Sequence, residues 1–237
     1  MSIELSFGER LLVEKFSRLN NLLKRLNVGT DIDGVEIDSA SSALRVINRE
    51  SGTNYGTKDI TSYWTLIELL QRDLKKIENH REYAMALWNS KESLQSAQPN
   101  PGALIISKFL TSEGVDRIHR ITSRPTYTTE LTYEWYRNKM PWVDRNLIHI
   151  HKDEADVNSV FKTEKIGELK IQLFFEDSFE HAEDIVRNTN AKVVLVPKPW
   201  NIGYKPSESG IIIVPETKYN NFPTMVRVYM HLADISA

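Results

Sequence analysis

Hydrophobic and polar residues follow two different periods along this chain, and the two patterns divide it into helices and strands. Leucines and one phenylalanine recur every three to four residues between positions 8 and 27, which predicts an amphipathic helix. In the following segment, 26–38, a short β-type run ends in acidic residues and a glycine. This pattern predicts a strand that stops at a sharp turn.

The next stretch, residues 39–115, differs because its pattern is almost entirely helical. Helices are predicted over 43–50, much of 60–97 and 103–114, the last one ending at Gly114. Serines between Ser39 and Ser42 offer N-caps for the first of them. The pattern does not locate the breaks inside 60–97 and shows no convincing strand. We therefore expect a helical insertion after the first strand.

Beyond residue 115, strand and helix patterns alternate. Strands are predicted at 115–123, 145–151, 171–178, 191–201 and 210–215, and helices at 128–140, 158–169, 179–190 and 221–235. Strands that alternate with helices form βα units and a parallel sheet. The predicted fold class is therefore α/β, with helices flanking a parallel sheet.

The composition is that of an ordinary globular protein, and it narrows the range of partners. The 237 residues include 30 Lys and Arg and 32 Asp and Glu, a formal net charge of −2. This balance argues against a nucleic-acid polymer or a membrane surface as partner. No apolar run approaches the roughly 20 residues that span a bilayer. Because the first ten residues lack the pattern of a signal peptide, we expect a cytoplasmic protein.

The chain contains no cysteine. This excludes disulfides, thiolate zinc sites and a cysteine nucleophile, including that of cysteine-dependent phosphatases. It also fits a reducing cytoplasm. Any covalent catalysis must use another nucleophile, and carboxylates are abundant.

Three polar clusters lie at the carboxyl ends of predicted strands: TDIDG at 30–34, ITSR at 121–124 and FFEDS at 174–178. Ligands of open parallel sheets bind outside the carboxyl ends of strands, so clusters far apart in sequence can converge in one crevice. An isolated DxDG is most often an acidic turn. It is not an EF-hand here, because Glu36 occupies the position that requires glycine.

The chain resembles the haloacid dehalogenase (HAD) superfamily of aspartyl phosphohydrolases, in particular its 5′-nucleotidase, deoxyribonucleotidase-like branch. The resemblance rests on four features that occur in the order DIDGV, ITSRP, a lysine and FFEDS. The resemblance extends over nearly the whole chain and includes the late PWN at 199–201. It implies a HAD-like Rossmannoid three-layer core made of residues 1–38 and 116–237. It also implies a mostly helical cap over 39–115, inserted after the first strand.

The resemblance also implies roles for individual residues. Asp31 matches the nucleophile, which would form an aspartyl-phosphate, and Asp33 matches the general acid/base. Thr122 matches the hydroxyl that binds the phosphoryl group, with Ser123 as an accessory. Asp177 would hold Mg²⁺ together with Asp31 and the main-chain carbonyl of Asp33.

Two lysines are candidates for the phosphate-binding cation of this family. Lys162, near the start of a predicted helix, would neutralise phosphate charge and keep Asp31 ionised. Lys165 is the alternative. Glu176 is expected beside the metal site. Arg124 lies outside the shared set and is either a substrate contact or a surface residue.

For the other histidine and aromatic residues, the simplest interpretation is a structural role. His149 and His151 could bind a metal ion together, but no third ligand is obvious, so a structural or solvent-facing pair is preferred. Of Tyr63, Trp64 and Trp88 in the insertion, one could stack on a nucleobase, although packing is the commoner role. Trp200 and Asn201 either shape the site or fix the final loop.

Together these expectations describe a Mg²⁺-dependent phosphomonoester hydrolase that acts through phospho-Asp31, with a nucleoside or deoxynucleoside monophosphate as the preferred substrate. A sugar phosphate or another small phosphomonoester stays open as substrate. So does a non-catalytic phosphate-binding protein, although the intact Asp31, Asp33 and Asp177 argue against it. The sequence is compatible with a homo-oligomer and does not determine the preferred base.

Overall fold

A computed structural model gives the fold and describes residues 7–62, 65–151, 158–217 and 219–236. The strands of this part of the chain are β1 Val28–Thr30, β2 Ile37–Asp38, β3 Gln98–Pro99, β4 Ile118–Thr122, β5 Ile148–Ile150, β6 Leu173–Glu176, β7 Lys192–Leu195 and β8 Ile211–Ile213. Its α-helices are α1 Phe7–Leu23, α2 Ser39–Ser51, α3 Thr65–Asp73, α4 His80–Trp88, α5 Lys91–Ser96, α6 Ala103–Ser112, α7 Thr129–Lys139, α8 Asn158–Glu168, α9 Phe179–Asn188 and α10 Thr224–Ile235.

Six strands form one parallel sheet in the order β5-β4-β1-β6-β7-β8. In its middle, Val28 of β1 pairs with Ile118 of β4 on one side and with Leu173 of β6 on the other. The chain builds the sheet outward from β1 through β4 and β5, and then in the opposite direction from β6. The carboxyl end of β1 is therefore a topological switch point, where ligands bind in such sheets. The predicted α/β class with a parallel sheet is confirmed.

Helices cover both faces of this sheet and produce three layers. Neighbouring residues of a strand face opposite sides. Leu173 belongs to an apolar cluster with residues of α1, α6, α7 and α10, whereas Phe174 belongs to a cluster with residues of α8 and α9. Gly29 permits close packing of β1 at this point, because a Cβ there would lie 2.8 Å from the Phe174 ring.

Between β1 and α6 the chain leaves the sheet and forms a helical insertion that contains α2 to α5. The insertion has its own apolar cluster, which includes Ala43, Ile47, Leu66 and Leu70. The chain enters it through β2 and returns through β3, and these two short strands pair antiparallel. The predicted helical character is present, but the two short strands are absent from the prediction. The helix α6 packs against α10 and the sheet, not within the insertion's cluster.

Local capping explains where the insertion's helices begin. The N-cap of α2 is Asp38, whose side chain accepts a hydrogen bond from the Ser41 N–H, so the prediction of a serine cap is wrong. The helices α4 and α5 begin after Asn79 and Ser90, whose side chains accept backbone hydrogen bonds. These caps are the breaks that periodicity alone does not locate.

Within the described ranges, every helix is too short or too polar to cross a membrane. The cytoplasmic location stays a prediction.

Candidate functional site

The three predicted polar clusters converge at one edge of the sheet. Asp31 and Asp33 follow β1, Thr122 ends β4, and Asp177 follows β6. They line a pocket of about 220 Å³ between the sheet and the insertion. Each site residue proposed from the sequence lines this pocket: Asp31, Asp33, Thr122, Ser123, Lys162 and Asp177.

The insertion gives the pocket a mostly apolar wall. Its side chains there include Ile60, Leu66 and Met85, together with Trp88 at the end of α4. The other aromatic candidates of the insertion, residues 63–64, lie outside the described residues. The pocket thus has a charged end at the sheet and a mostly apolar end at the insertion, where Arg81 and Asn89 are the polar side chains.

Asp31 lies at the charged end, where it is 4% exposed. Its N–H donates to the Phe175 carbonyl over 2.8 Å, which continues the pairing of β1 with β6 by one residue. The Nζ of Lys162, on α8, lies 3.1 Å from Asp31 Oδ1. Burial raises the pKa of Asp31 well above its usual range, and the charge of Lys162 opposes this rise. Lys165 instead pairs with the exposed Glu168.

Glu176 is fully buried and holds Lys162 in position. Its Oε2 accepts a hydrogen bond from Lys162 Nζ over 2.7 Å. Its Oε1 accepts the N–H groups of Asp177 and Ser178, each over 3.0 Å. Burial acts to raise the pKa of Glu176, but the neighbouring Lys162 and His181 together outweigh it and the pKa is lowered. Because both oxygens already accept hydrogen bonds, the role of Glu176 is to orient the lysine and the turn.

Asp33 accepts hydrogen bonds from three side chains. Arg124 donates from Nε to Oδ2 over 2.8 Å and from Nη2 to Oδ1 over 2.7 Å. Thr122 donates to Oδ2 over 3.2 Å, and the hydroxyl of Ser39, the first residue of α2, donates to Oδ1. Burial acts to raise the pKa of Asp33, but the charge and hydrogen bonds of Arg124 lower it.

Arg124 is itself buried, with 4% of its surface exposed. Its Nη1 donates to Thr132 Oγ1 of α7 over 3.0 Å, so the guanidinium is fixed between α7 and Asp33. The alternative that made Arg124 a surface residue is therefore wrong. Arg124 positions the carboxylate of Asp33.

The turn after Asp33 brings the backbone against Asp177. Gly34 has a φ of 73°, and a Cβ at this position would lie 1.9 Å from Asp177 Oδ2, so only glycine fits. The carbonyl of Asp177 accepts hydrogen bonds from Trp200 Nε1 over 3.1 Å and Asn201 Nδ2 over 2.8 Å. Trp200 also lines the pocket. The PWN segment therefore both fixes a loop and shapes the site.

The acidic residues at this edge fit a divalent cation. One oxygen from each of Asp31, Glu176 and Asp177 lies within 4.8 Å of the other two. Asp31 Oδ1 is buried and accepts no hydrogen bond from the described residues, although Lys162 is nearby. Burial and the charge of Glu176 raise the pKa of Asp177 well above its usual range, and a bound cation would lower it. Buried carboxylate oxygens of this kind suit Mg²⁺.

Two residues near the site are missing from the sequence-based set. The Ser39 hydroxyl contacts Asp33 because the turn between them folds the chain back, and no local sequence pattern predicts this course. His181 lines the pocket from the first turn of α9. Its position four residues after Asp177 is the only sequence signal that could have indicated it.

The two histidines considered as metal ligands lie elsewhere. His149 Nε2 is 3.0 Å from Nδ1 of His119, on the neighbouring strand β4. His151 is buried beyond the end of β5. Neither His149 nor His151 lines the pocket described above.

Comparisons with known proteins bear on the fold of this chain. No family model matches the sequence. A protein of Bacillus subtilis (strain 168) named "Putative nucleotidase YqfW" is 29% identical over 196 residues, which cover 80% of this chain and 88% of that protein. A solved haloacid dehalogenase-like family hydrolase from Streptococcus pneumoniae superposes with a TM-score of 0.52 and 13% identity, over 81% of this chain and 95% of that chain. The fold is that of the HAD superfamily.

The resemblance drawn from DIDGV, ITSRP and FFEDS is thereby confirmed at the level of the fold. In this HAD fold the motifs lie at the carboxyl ends of β1, β4 and β6, which are three adjacent strands of the sheet. Their side chains face a common pocket, which provides the basis for a functional proposal.

Proposed function

We propose that this HAD-fold protein hydrolyses phosphomonoesters, with Asp31 as the nucleophile. The observation that supports this most directly is the pairing of Asp31 with Lys162, 3.1 Å apart and both buried at the charged end of the pocket. A carboxylate can act as the nucleophile of a covalent phosphoryl transfer, and a buried cation beside it stabilises the charge of the transferring group.

The proposed reaction has two steps. First, an oxygen of Asp31 bonds to phosphorus while the ester P–O bond breaks, and the leaving oxygen takes a proton from Asp33. Second, water attacks the phosphorus, its proton passes to Asp33, and the bond between phosphorus and Asp31 breaks. The alcohol and inorganic phosphate are released, Asp31 is again a carboxylate, and Asp33 again carries the proton with which it began the first step.

Arg124 controls when Asp33 can act. In the free protein it holds the pKa of Asp33 low, which makes Asp33 a poor proton donor. A phosphoryl group entering the pocket competes with Asp33 for the guanidinium, since both are oxyanions. Substrate binding therefore weakens the pairing and lets Asp33 take up from water the proton that the leaving oxygen needs.

The remaining roles concern phosphate charge. Thr122 and Ser123 line the charged end of the pocket, within reach of a phosphoryl group. The Thr122 hydroxyl donates to Asp33 in the free protein and would transfer this hydrogen bond to a phosphoryl oxygen when substrate enters. Asp31, Asp177 and the carbonyl of Asp33 would hold Mg²⁺. When bound, the ion would offset the repulsion between a phosphate dianion and the carboxylates.

The preferred substrate is a nucleoside or deoxynucleoside monophosphate. The apolar wall formed by Ile60, Leu66 and Trp88 offers contact and stacking to a flat base. The name of the Bacillus subtilis relative points the same way. A sugar phosphate is the second candidate. Of the described residues of this wall Arg81 and Asn89 are polar, and the other side chains are apolar, so most sugar hydroxyls would lose hydrogen bonds to water there.

Turnover of a chromogenic phosphate ester tests the reaction, and a panel of nucleoside monophosphates and sugar phosphates tests the substrate. The wild-type protein with Mg²⁺ should release phosphate, with the highest kcat/KM on nucleotides. Asp31→Asn should lose nearly all turnover while the circular dichroism spectrum is unchanged. Substantial residual turnover in that variant would remove Asp31 as nucleophile, and a preference for sugar phosphates would replace the substrate assignment.

A further inference from the structure

His181 lies at the charged end of the pocket and has no part in the reaction described above. It belongs to the first turn of α9, where its N–H donates to the Ser178 hydroxyl over 3.3 Å. Its side chain is 26% exposed and lines the pocket. The ring is therefore both anchored by its helix and accessible to a ligand.

The contacts of His181 identify which ring nitrogen carries the proton. Nδ1 lies 3.3 Å from Lys162 Nζ. An ammonium group only donates, so Nδ1 accepts in this contact, and the ring N–H is on Nε2. The nearest carboxylate oxygen, Glu176 Oε1, is 3.9 Å from Nδ1 and beyond hydrogen-bond reach. The ring is thus held as the Nε2–H tautomer.

The surroundings of Lys162 show why a second donor is needed. Two of its protons are directed to Glu176 Oε2 and His181 Nδ1, at 2.7 and 3.3 Å. At most one proton remains for a substrate, beside Asp31 Oδ1 at 3.1 Å. A transferring phosphoryl group has three non-bridging oxygens, and Nε2 of His181 has no hydrogen-bond partner among the described residues.

We propose that His181 donates its Nε2–H to a non-bridging oxygen of the phosphoryl group and is a further catalytic residue. This inference rests on the proposed phosphohydrolase function. The phosphoryl group, not the leaving group, is the partner, because Lys162 and Glu176 place His181 at the Asp31 end of the pocket. The leaving group faces the insertion at the opposite end.

Two substitutions separate this role from an indirect effect on Lys162. His181→Asn keeps an acceptor near the position of Nδ1 but has no donor at the position of Nε2. His181→Gln can place an amide N–H near the position of Nε2 but loses the acceptor beside Lys162. His119→Gln, outside the pocket, is the control for histidine loss.

The binding of inorganic phosphate in the presence of Mg²⁺, followed by calorimetry, is the first readout, and kcat and KM on several phosphomonoesters are the second. His181→Asn should weaken phosphate binding about tenfold or more, as expected when a hydrogen bond to a charged group is lost. His181→Gln and His119→Gln should stay near the wild-type affinity. The loss in kcat/KM of His181→Asn should be similar for every leaving group.

Other outcomes overturn this inference alone. If His181→Asn binds phosphate normally and His181→Gln does not, the residue acts only by positioning Lys162. If all variants bind alike, it has no role in phosphate recognition. A loss that depends on the leaving group, with phosphate affinity unchanged, would place the contact on the leaving group. If instead the wild-type protein neither binds phosphate nor turns over esters, the proposed function itself fails.

Discussion

The buried acids of the site differ in their partners, and the partners give each acid a different task. Asp31 faces a lysine and keeps an oxygen without a hydrogen bond, as a nucleophile or metal ligand requires. Glu176 has both oxygens occupied and orients that lysine. Asp33 is enclosed by Arg124 and two hydroxyls. Similar side chains thus acquire separate roles from contacts within a few ångströms.

Gly34 and Gly52 form a matched pair for testing the turn. Both have positive φ, but only at Gly34 would a Cβ meet Asp177, whereas nothing lies within 4 Å of that position at Gly52. Gly34→Ala should lower the free energy of unfolding by about 2–4 kcal/mol and weaken Mg²⁺ binding. Gly52→Ala should cost only about 1 kcal/mol of left-handed strain and bind Mg²⁺ normally. Denaturant unfolding and calorimetry measure both, and equal effects would contradict the clash with Asp177.

Arg124→Lys tests the positioning of Asp33. Lysine keeps the charge but not the two-pronged hydrogen bonding, so Asp33 gains freedom at the site of proton transfer. We expect kcat to fall about tenfold to a hundredfold with little change in KM. The exposed Arg117, changed to Lys, is the control. A variant with wild-type kcat would show that the two-pronged contact is unnecessary.

Residue types and motif order made most of this site predictable. Asp31, Asp33, Thr122, Lys162 and Asp177 lie where the motifs and the topology rule suggested. The hydrogen-bond partners of these residues could not be predicted, because they depend on where the side chains point after the chain has folded. The clamp of Arg124 on Asp33 and the approach of Ser39 and His181 arise in this way.

At the scale of elements, the central strands were easier to predict than the insertion. β4 and β6 have apolar runs that end in polar motifs. β2 and β3 have two residues each, too few for any period to appear. The predicted strand over 191–201 stops at Leu195 because Pro197 and Pro199 cannot donate to a ladder. The packing of α6 against the sheet leads us to propose that the cap ends near β3, before the expected boundary at 115.

His149, on β5 beside β4, should make the stability of the protein depend on pH. Burial, followed by the charges of His119 and Lys165, lowers the pKa of His149 to about 4. In the unfolded chain the pKa is near 6.5, so protonation favours unfolding as the pH falls from about 6.5 to 4. We expect a loss of about 1–2 kcal/mol over this range, reduced from the full shift because the ring is partly exposed. His149→Gln should flatten this part of the stability curve, and an unchanged slope would exclude His149 as its source.

At the scale of the whole molecule, the insertion and the sheet have separate apolar clusters and meet around the pocket. Trp200 connects them, since its ring packs against the insertion's cluster while its Nε1 holds the Asp177 carbonyl. Periodicity predicted both halves but not their contact. The contact depends on a loop after β7 whose course has no repeating pattern.

Removal of divalent cations tests whether the pocket holds a metal ion that both catalysis and stability depend on. Treatment with EDTA should stop turnover and leave the fold intact, and added Mg²⁺ should restore activity. At a Mg²⁺ concentration a hundredfold above its Kd, the free energy of unfolding should rise by about 2.7 kcal/mol, because the ion binds only the folded site. Thermal denaturation with and without Mg²⁺ measures this gain. Full activity in EDTA would contradict the metal assignment.

The antiparallel pairing of β2 with β3 brings the two ends of the insertion together. The chain leaves the sheet and returns to it at adjacent points, and Asn100 fastens them by donating to the carbonyls of Val35 and Ile37. A different helical domain with neighbouring ends could therefore be grafted between Asp38 and Gln98 without moving the central strands. On the proposed function, substrate choice would depend mainly on the insertion and phosphoryl chemistry mainly on the sheet, and a grafted domain would have to replace the contacts of Ser39 with Asp33 and of Trp200 with the insertion's cluster.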